Sequence, residues 1–391
     1  MRSSRLVCAL VCLLLVGCVA PALPWGAPRI ITQAEQTQPP ALAVLDNGVT
    51  AAWVGADERG VHHNARRLVN GTFEPAVTLP LPPIMPRQQT FVAGRAGSAH
   101  LLWLDANENG DTRLFNALIA TSNLSVLRGP TVASEGVTVR YATLAEAGGV
   151  LVAWSGGLAD EPTVTLRRID DEGRPTETLA TVPDADYPQL LYADGTVWFF
   201  WQRVSDQTMR AASFIGGSLS EPIALVPSVG MAAGDRLHDI RAGAERSQVY
   251  LFWNVNRGDG REESWFASGA LSATGWSAPR LLTAEPADGT ASPTGFNSGR
   301  VQAAAAGAAP VEFAAPLPEQ GDTLPVAALQ GDALVVIYLQ SGQPIAMQTL
   351  ATGVTLLAAP LLLTDLDRYL YLSWAQPRDG AGELRLLTTR N

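Results

Sequence analysis

A short apolar run ending in an aromatic residue recurs through this chain at a nearly constant interval. Val49-Thr50-Ala51-Ala52-Trp53 is followed by Ala99-His100-Leu101-Leu102-Trp103 and then by Val150-Leu151-Val152-Ala153-Trp154. Val197-Trp198-Phe199-Phe200-Trp201 and Val249-Tyr250-Leu251-Phe252-Trp253 continue the series, so the five tryptophans lie 50, 51, 47 and 52 residues apart. Two further runs end in Tyr338 and Trp374. Turn signals such as Asn47-Gly48 and Gly148-Gly149 precede the runs. Runs this short, rich in valine and aromatics and bounded by glycine, read as buried strands.

Each unit continues in the same way. A polar loop follows the tryptophan, then an alternating strand such as Thr163-Val164-Thr165-Leu166-Arg167-Arg168, then a glycine turn and a proline-marked strand such as Gly71-Thr72-Phe73-Glu74-Pro75. Proline tolerates an edge position because it has no N–H to give to a ladder. Another strand precedes each tryptophan run. With 47% hydrophobic and 16% charged residues, the chain has ample material for a large core. Four antiparallel strands repeated about every fifty residues imply an all-β chain, a β-propeller of four-stranded blades, each burying its faces against its neighbours.

The count gives seven blades, centred on Trp53, Trp103, Trp154, Trp201, Trp253, Tyr338 and Trp374. Six or eight remain open, because the Ala-, Gly- and Pro-rich segment 285–323 stretches one interval to 85 residues. That segment reads as a long loop, with strands conceivable at 301–306 and 311–315. The apolar run 354–363 is too short to span a membrane and reads as a pair of buried strands. The last unit lacks a fourth strand before the chain stops at Asn391. Trp25-Gly26-Ala27-Pro28-Arg29-Ile30-Ile31-Thr32 matches Trp276-Ser277-Ala278-Pro279-Arg280-Leu281-Leu282-Thr283, a fourth strand of unit five. The amino-terminal strand is therefore expected to complete the last blade.

The first residues carry a different signal. Arg2 and Arg5 precede the apolar stretch 6–16, which ends in Leu15-Val16-Gly17-Cys18. This resembles a bacterial lipobox. The resemblance implies a signal peptide over 1–17, lipid on Cys18, a tether over 18–27 and a single propeller domain over 28–391. Cys8, Cys12 and Cys18 are the chain's cysteines, so the mature protein would hold no internal disulfide. Losing Arg2 and Arg5 would take the net charge from −10 to −12. The chain has no lysine and no basic tract, which argues against a nucleic-acid partner.

Candidate chemistry lies in the loops of one face. Asp105, Asn107, Asn109 and Asp111 carry oxygens at positions one, three, five and seven of a run with Gly110 at six, as a calcium loop begins. Position twelve is Asn116 rather than glutamate, so an ordinary hairpin turn competes with calcium, and no other cofactor is implied. His62, His63, His100 and His238 show no metal-ligand spacing. Arg87, Arg140 and Arg236, with Asp186, Tyr187 and Asp235, fall near the starts of innermost strands. They are positioned to bind an anionic ligand at the mouth of the ring. Arginines paired with acids across the channel are the plainer alternative. The body is similar to sialidase-type propellers in architecture, which implies an arginine-lined glycan site. That family's Phe/Tyr-Arg-Ile-Pro motif and Asp-box are absent, so no catalytic residue carries over.

The expected protein is a lipoprotein anchored through Cys18 to the outer face of the cytoplasmic membrane or to an outer membrane. Its propeller would bind or scaffold a glycan or protein partner without catalysis. A sialidase-like glycoside hydrolase and an envelope-assembly factor are the alternatives.

Overall fold

The structure is a computed structural model. It describes residues 24–389 except 35–39, 46–47, 59, 84–85, 96, 107–108, 110, 159, 194, 227–231, 246–247, 260–261, 271–275, 285–300, 303–322, 331–332, 342, 356–359, 365–368 and 380. The expected leader, Cys18 and the first part of the expected tether lie outside the described residues, as does most of 285–323.

Seven antiparallel sheets follow one another along the chain. Blade one holds Ala41–Leu45, Gly48–Asp57 and Gly60–Val69, with Thr72–Phe73 and Val77–Leu79 outermost. The innermost strands of blades two to five are Arg87–Ala93, Thr138–Glu146, Ala185–Ala193 and Arg236–Glu245. Blade six is built on Leu324–Gln330, Ala333–Gln340 and Gln343–Ala351, and blade seven begins with Leu361–Thr364. Each innermost strand touches the innermost strands on either side, and blade seven's touches blade one's, so the ring closes. The recurring aromatics all lie on second strands, and all seven are buried, with none above 4% exposed. They wedge neighbouring blades apart at a fixed angle while filling the seam with apolar area.

The seventh blade is completed as the repeat predicts. Arg29–Ala34 pairs antiparallel with Ala381–Thr388, placing Arg29 opposite Leu386 and Ala34 opposite Gly382. The aligned segments behave alike. Gly26 N donates to Thr388 O at 2.9 Å, and Ser277 N, its counterpart in blade five, donates to Ser268 O at 2.7 Å. Ile31 is fully buried in the core shared by blades one, five, six and seven. Gln33 Nε2 reaches the buried Glu383 Oε2 at 3.4 Å.

One expectation needs correction. The proline-marked strand is broken rather than merely edged by proline. In blade one Thr72–Phe73 and Val77–Leu79 pair separately with the third strand, and Pro75 falls between them. Pro222 separates Ser218–Leu219 from Ile223–Val226 in blade four in the same way. The missing N–H leaves a gap in the ladder. The run 354–363 contributes only one strand among the described residues, Leu361–Thr364, and Val354 is buried without belonging to one. Within 285–323, Val301–Gln302 forms a short strand on the inner edge of blade six, opposite Ala328 and Ala327.

The closing strand generates a paired test. Ile31→Ala should cost about 2–5 kcal/mol of unfolding free energy, the range for a buried isoleucine. Its neighbour Ile30, 46% exposed, should change stability by less than about 0.5 kcal/mol on the same substitution. Denaturant unfolding of both variants checks this.

Candidate functional site

Each second strand runs to a hairpin on one face of the ring, and each innermost strand begins on that same face. Register across the first two strands of a blade therefore compares positions between blades. The residue opposite the one just after the tryptophan is Arg87 in blade two, facing Leu104, and Arg140 in blade three, facing Ser155. In blade four it is Asp186, facing Gln202, and in blade five His238, facing Asn254. Four consecutive blades thus present Arg, Arg, Asp and His at one structural position. In blade six the position holds the buried Leu324.

A bulge accompanies each of these four residues. The register shifts between Arg87 and Thr90, Thr138 and Arg140, Asp186 and Gln189, and His238 and Arg241. Bulged strands bend and re-aim their side chains, and they concentrate at functional edges. Two bulges hold a non-glycine residue in the left-handed region, Gln88 at φ 51° and Tyr187 at φ 53°. Such conformations persist only where surrounding contacts enforce them. For Gln88, Tyr141 Oη supplies one by donating to its carbonyl.

Arg140, Asp186 and Tyr187 meet at the seam of blades three and four. Arg140 Nη1 donates to Asp186 Oδ2 at 3.0 Å, and the guanidinium carbon lies 3.7 Å from the centre of the Tyr187 ring. Asp186 Oδ1 accepts from Tyr187 N at 2.7 Å, so one carboxylate fixes both the arginine and the strained tyrosine. About 30% of the Arg140 side chain is exposed. Val139, next to Arg140 in the chain, and Leu158, further out on the hairpin of the same blade, are exposed. Arg87 is exposed and donates to Thr112 Oγ1 at 2.7 Å. Arg236 is also exposed, but it faces Asn256, further out along the hairpin than the four-blade position.

Asp235 has a different task. Its side chain is only 3% exposed, and Arg257 Nη1 donates to it at 2.7 Å. Ala232 N and Gly258 N donate to its two oxygens, each at 2.9 Å. Asp184 takes the same place in blade four, accepting from Ser205 N at 2.9 Å. Both aspartates stand one residue before an innermost strand and clamp the hairpin of their own blade. These backbone donors, with Arg257, lower the Asp235 pKa from 3.8 to about 2. A second repeated clamp joins that hairpin to the third strand. Arg257 pairs with Glu263 in blade five, and Arg378 with Glu383 at the equivalent place in blade seven, each at 2.6 Å.

The calcium-type run lies only partly within the described residues. Asp105 is buried. Its Oδ1 accepts from Ala106 N at 2.8 Å and its Oδ2 from Trp103 Nε1 at 3.4 Å. Asp111 pairs with Arg113 at 3.4 Å, Asn109 is described, and Asn107 lies outside the described residues. No group of three or more His, Cys, Asp or Glu suited to a metal occurs among the described residues.

One buried titratable group lies close behind the site. His63, on the third strand of blade one, is fully buried. Its Nδ1 lies 2.5 Å from Gln89 Nε2 in the blade-two bulge, and its ring lies 4.7 Å from that of Trp103. Burial lowers its pKa to about 4, partly opposed by the charge of Asp105.

No family model matches the chain, and no curated protein is similar to it in sequence. Among solved structures, a polysaccharide lyase, Uly1, superposes with a TM-score of 0.55 at 12% identity, over 92% of this chain and 90% of that one. An oligogalacturonate lyase in complex with manganese gives 0.52 at 12% identity, over 87% and 85%. The β-propeller domain of the Trilobed protease from Pyrococcus furiosus gives 0.50 at 8% identity, over 90% and 94%. At these identities the likeness is one of fold. The architecture implied by the sialidase-type resemblance is present.

Two acid-side tests follow from the buried groups. The folded-state pKa of Asp235 lies below its unfolded value, so its stabilisation is complete above about pH 4 and fades as pH falls towards 2. Asp235→Asn should therefore be less stable than the parent at neutral pH, with the gap narrowing across that window in thermal melts. His63 also has a lowered value, so stability should rise by roughly 3 kcal/mol between about pH 4 and 6.5. His63→Gln should flatten that part of the denaturation profile.

Proposed function

We propose that the protein is an exported, lipid-anchored propeller that binds an anionic carbohydrate at the mouth of its ring, over blades two to five. The observation that carries this reading is the shared register of Arg87, Arg140, Asp186 and His238, each beside a bulge. Arg140 is held by Asp186 on one side and by the Tyr187 ring beneath. A guanidinium fixed in this way keeps further N–H donors for a ligand carboxylate, with little ordering left to do. Tyr187, Val139 and Leu158 supply apolar surface for a sugar ring. The lipobox-like Leu15-Val16-Gly17-Cys18 supports export and anchoring.

Asp235 is occupied by its hairpin donors, with its pKa lowered to about 2, and so is the poorer candidate for proton transfer to a ligand. A second reading, elimination on a uronate chain, draws support from the two lyases of like fold and from the histidine, His238, at the blade-five position of the shared register.

Calorimetric titration with oligogalacturonate, with neutral dextran oligosaccharides as the control, tests the proposal. Oligogalacturonate should bind and dextran should not. Arg140→Ala should weaken binding by about 10- to 100-fold, the range for losing hydrogen bonds to a charged group. Equal affinity of parent and variant would overturn the site assignment. Release of unsaturated uronate ends that His238→Ala abolishes would replace the binding reading with the lyase reading.

A further inference from the structure

We infer that the propeller rests on the bilayer by the face opposite the candidate site, so that the arginine-bearing mouth looks away from the membrane. This rests on the anchoring part of the proposed function, and it follows from strand direction. Ala381–Thr388 starts at the hairpin on the site face and ends on the opposite face. Arg29–Ala34 runs against it, so it starts on the opposite face and climbs towards the site face. The chain reaches that strand along the far rim. There Gly26 N is bonded to Thr388 O at 2.9 Å, and Arg29 donates to the carbonyl of Gly71, in the outer turn of blade one.

The tether is too short to allow the reverse arrangement. Eight residue steps separate Cys18 from Gly26, a fully extended reach of at most about 29 Å. The second strands hold 8 to 10 residues and so stand roughly 30 Å tall. Bringing the site face to the bilayer would require the tether to run the whole height of a blade, with nothing left to reach the lipid. No charged residue lies between Cys18 and Arg29, so nothing in this segment resists approach to the head groups. A mature charge of −12 gives no general attraction to an anionic leaflet, which leaves the tether to set the orientation. The surface facing the bilayer then consists of the turns of the opposite face, including exposed Arg95, the Arg174–Glu172 pair and the Gly216-Gly217 turn beside Ile215.

The absence of any other cysteine from the mature chain permits a direct test. Leu158, 68% exposed on the site face, and Ile215, 65% exposed near the opposite rim, are replaced singly by cysteine and labelled with a donor dye. The full-length lipidated variants are placed in liposomes of phosphatidylcholine and phosphatidylglycerol carrying an acceptor on the head groups. Energy transfer from Ile215→Cys should exceed that from Leu158→Cys several-fold. A flexible insert of about twenty residues between Ala22 and Leu23 should shrink the difference. Equal transfer from the two positions, or the reverse order, overturns the orientation even when Cys18 carries lipid. Mass measurement showing no lipid on Cys18 overturns the anchoring reading on which it stands. Oligogalacturonate binding by the soluble Cys18→Ser chain reports on the site independently of either.

Discussion

The ladder between Arg29–Ala34 and Ala381–Thr388 joins the two ends of the chain and turns a row of blades into a ring. Without it the third strand of blade seven would be an exposed edge, with unpaired N–H and C=O groups and a face of Leu384 and Leu386 lacking cover. Ile31 supplies that cover, and Glu383, buried among Arg378, Arg385, Gln376 and Gln33, binds the closing strand through a polar contact as well. The cost of closure grows only slowly with loop length, so a ring of this circumference can be shut by one well-packed strand. Every statement about a mouth, a channel or a site face presupposes that contact.

Within the ring, blades of like construction use the same positions for different purposes. Asp184 and Asp235 hold the hairpins of blades four and five, and Arg257 and Arg378 brace those of blades five and seven. These are scaffold groups. Two or three residues further along the innermost strands, the residues change character, and Arg87, Arg140, Asp186 and His238 stand where blade six has an apolar residue. The candidate site thus draws on four neighbouring blades, two to five. That division suits a ligand lying across one side of the mouth.

The fold was legible in the sequence because a fifty-residue period and a duplicated Trp-x-Ala-Pro-Arg segment are properties that survive in one dimension. The site was only partly legible. Arg87 and Arg140 were recognisable as arginines at strand starts, yet the same reasoning chose Arg236 where the structure places His238 at the equivalent position. The bulges explain the difference. Each inserts residues into an innermost strand, so counting from a turn signal drifts by one or two positions between blades. Asp235 looked like a ligand group and is tied up in a hairpin clamp. Its true relative, Asp184, lies two residues before Asp186 and carried no signal of its own. The broken outer strands at Pro75 and Pro222 belong to the same class, since proline announces an edge without telling whether pairing continues past it.

The direction of the closing strand also has a mechanical meaning. A pull delivered through the amino-terminal segment acts along the axis of Arg29–Ala34, parallel to its partner. The inter-strand hydrogen bonds then share the load in shear, and none is peeled ahead of the others. Ile31 must be dragged through the packed seam at the same moment. A body held at one corner and buffeted by flow or by a heavy polymer would strain its strongest geometry, at the same joint that keeps the circle shut.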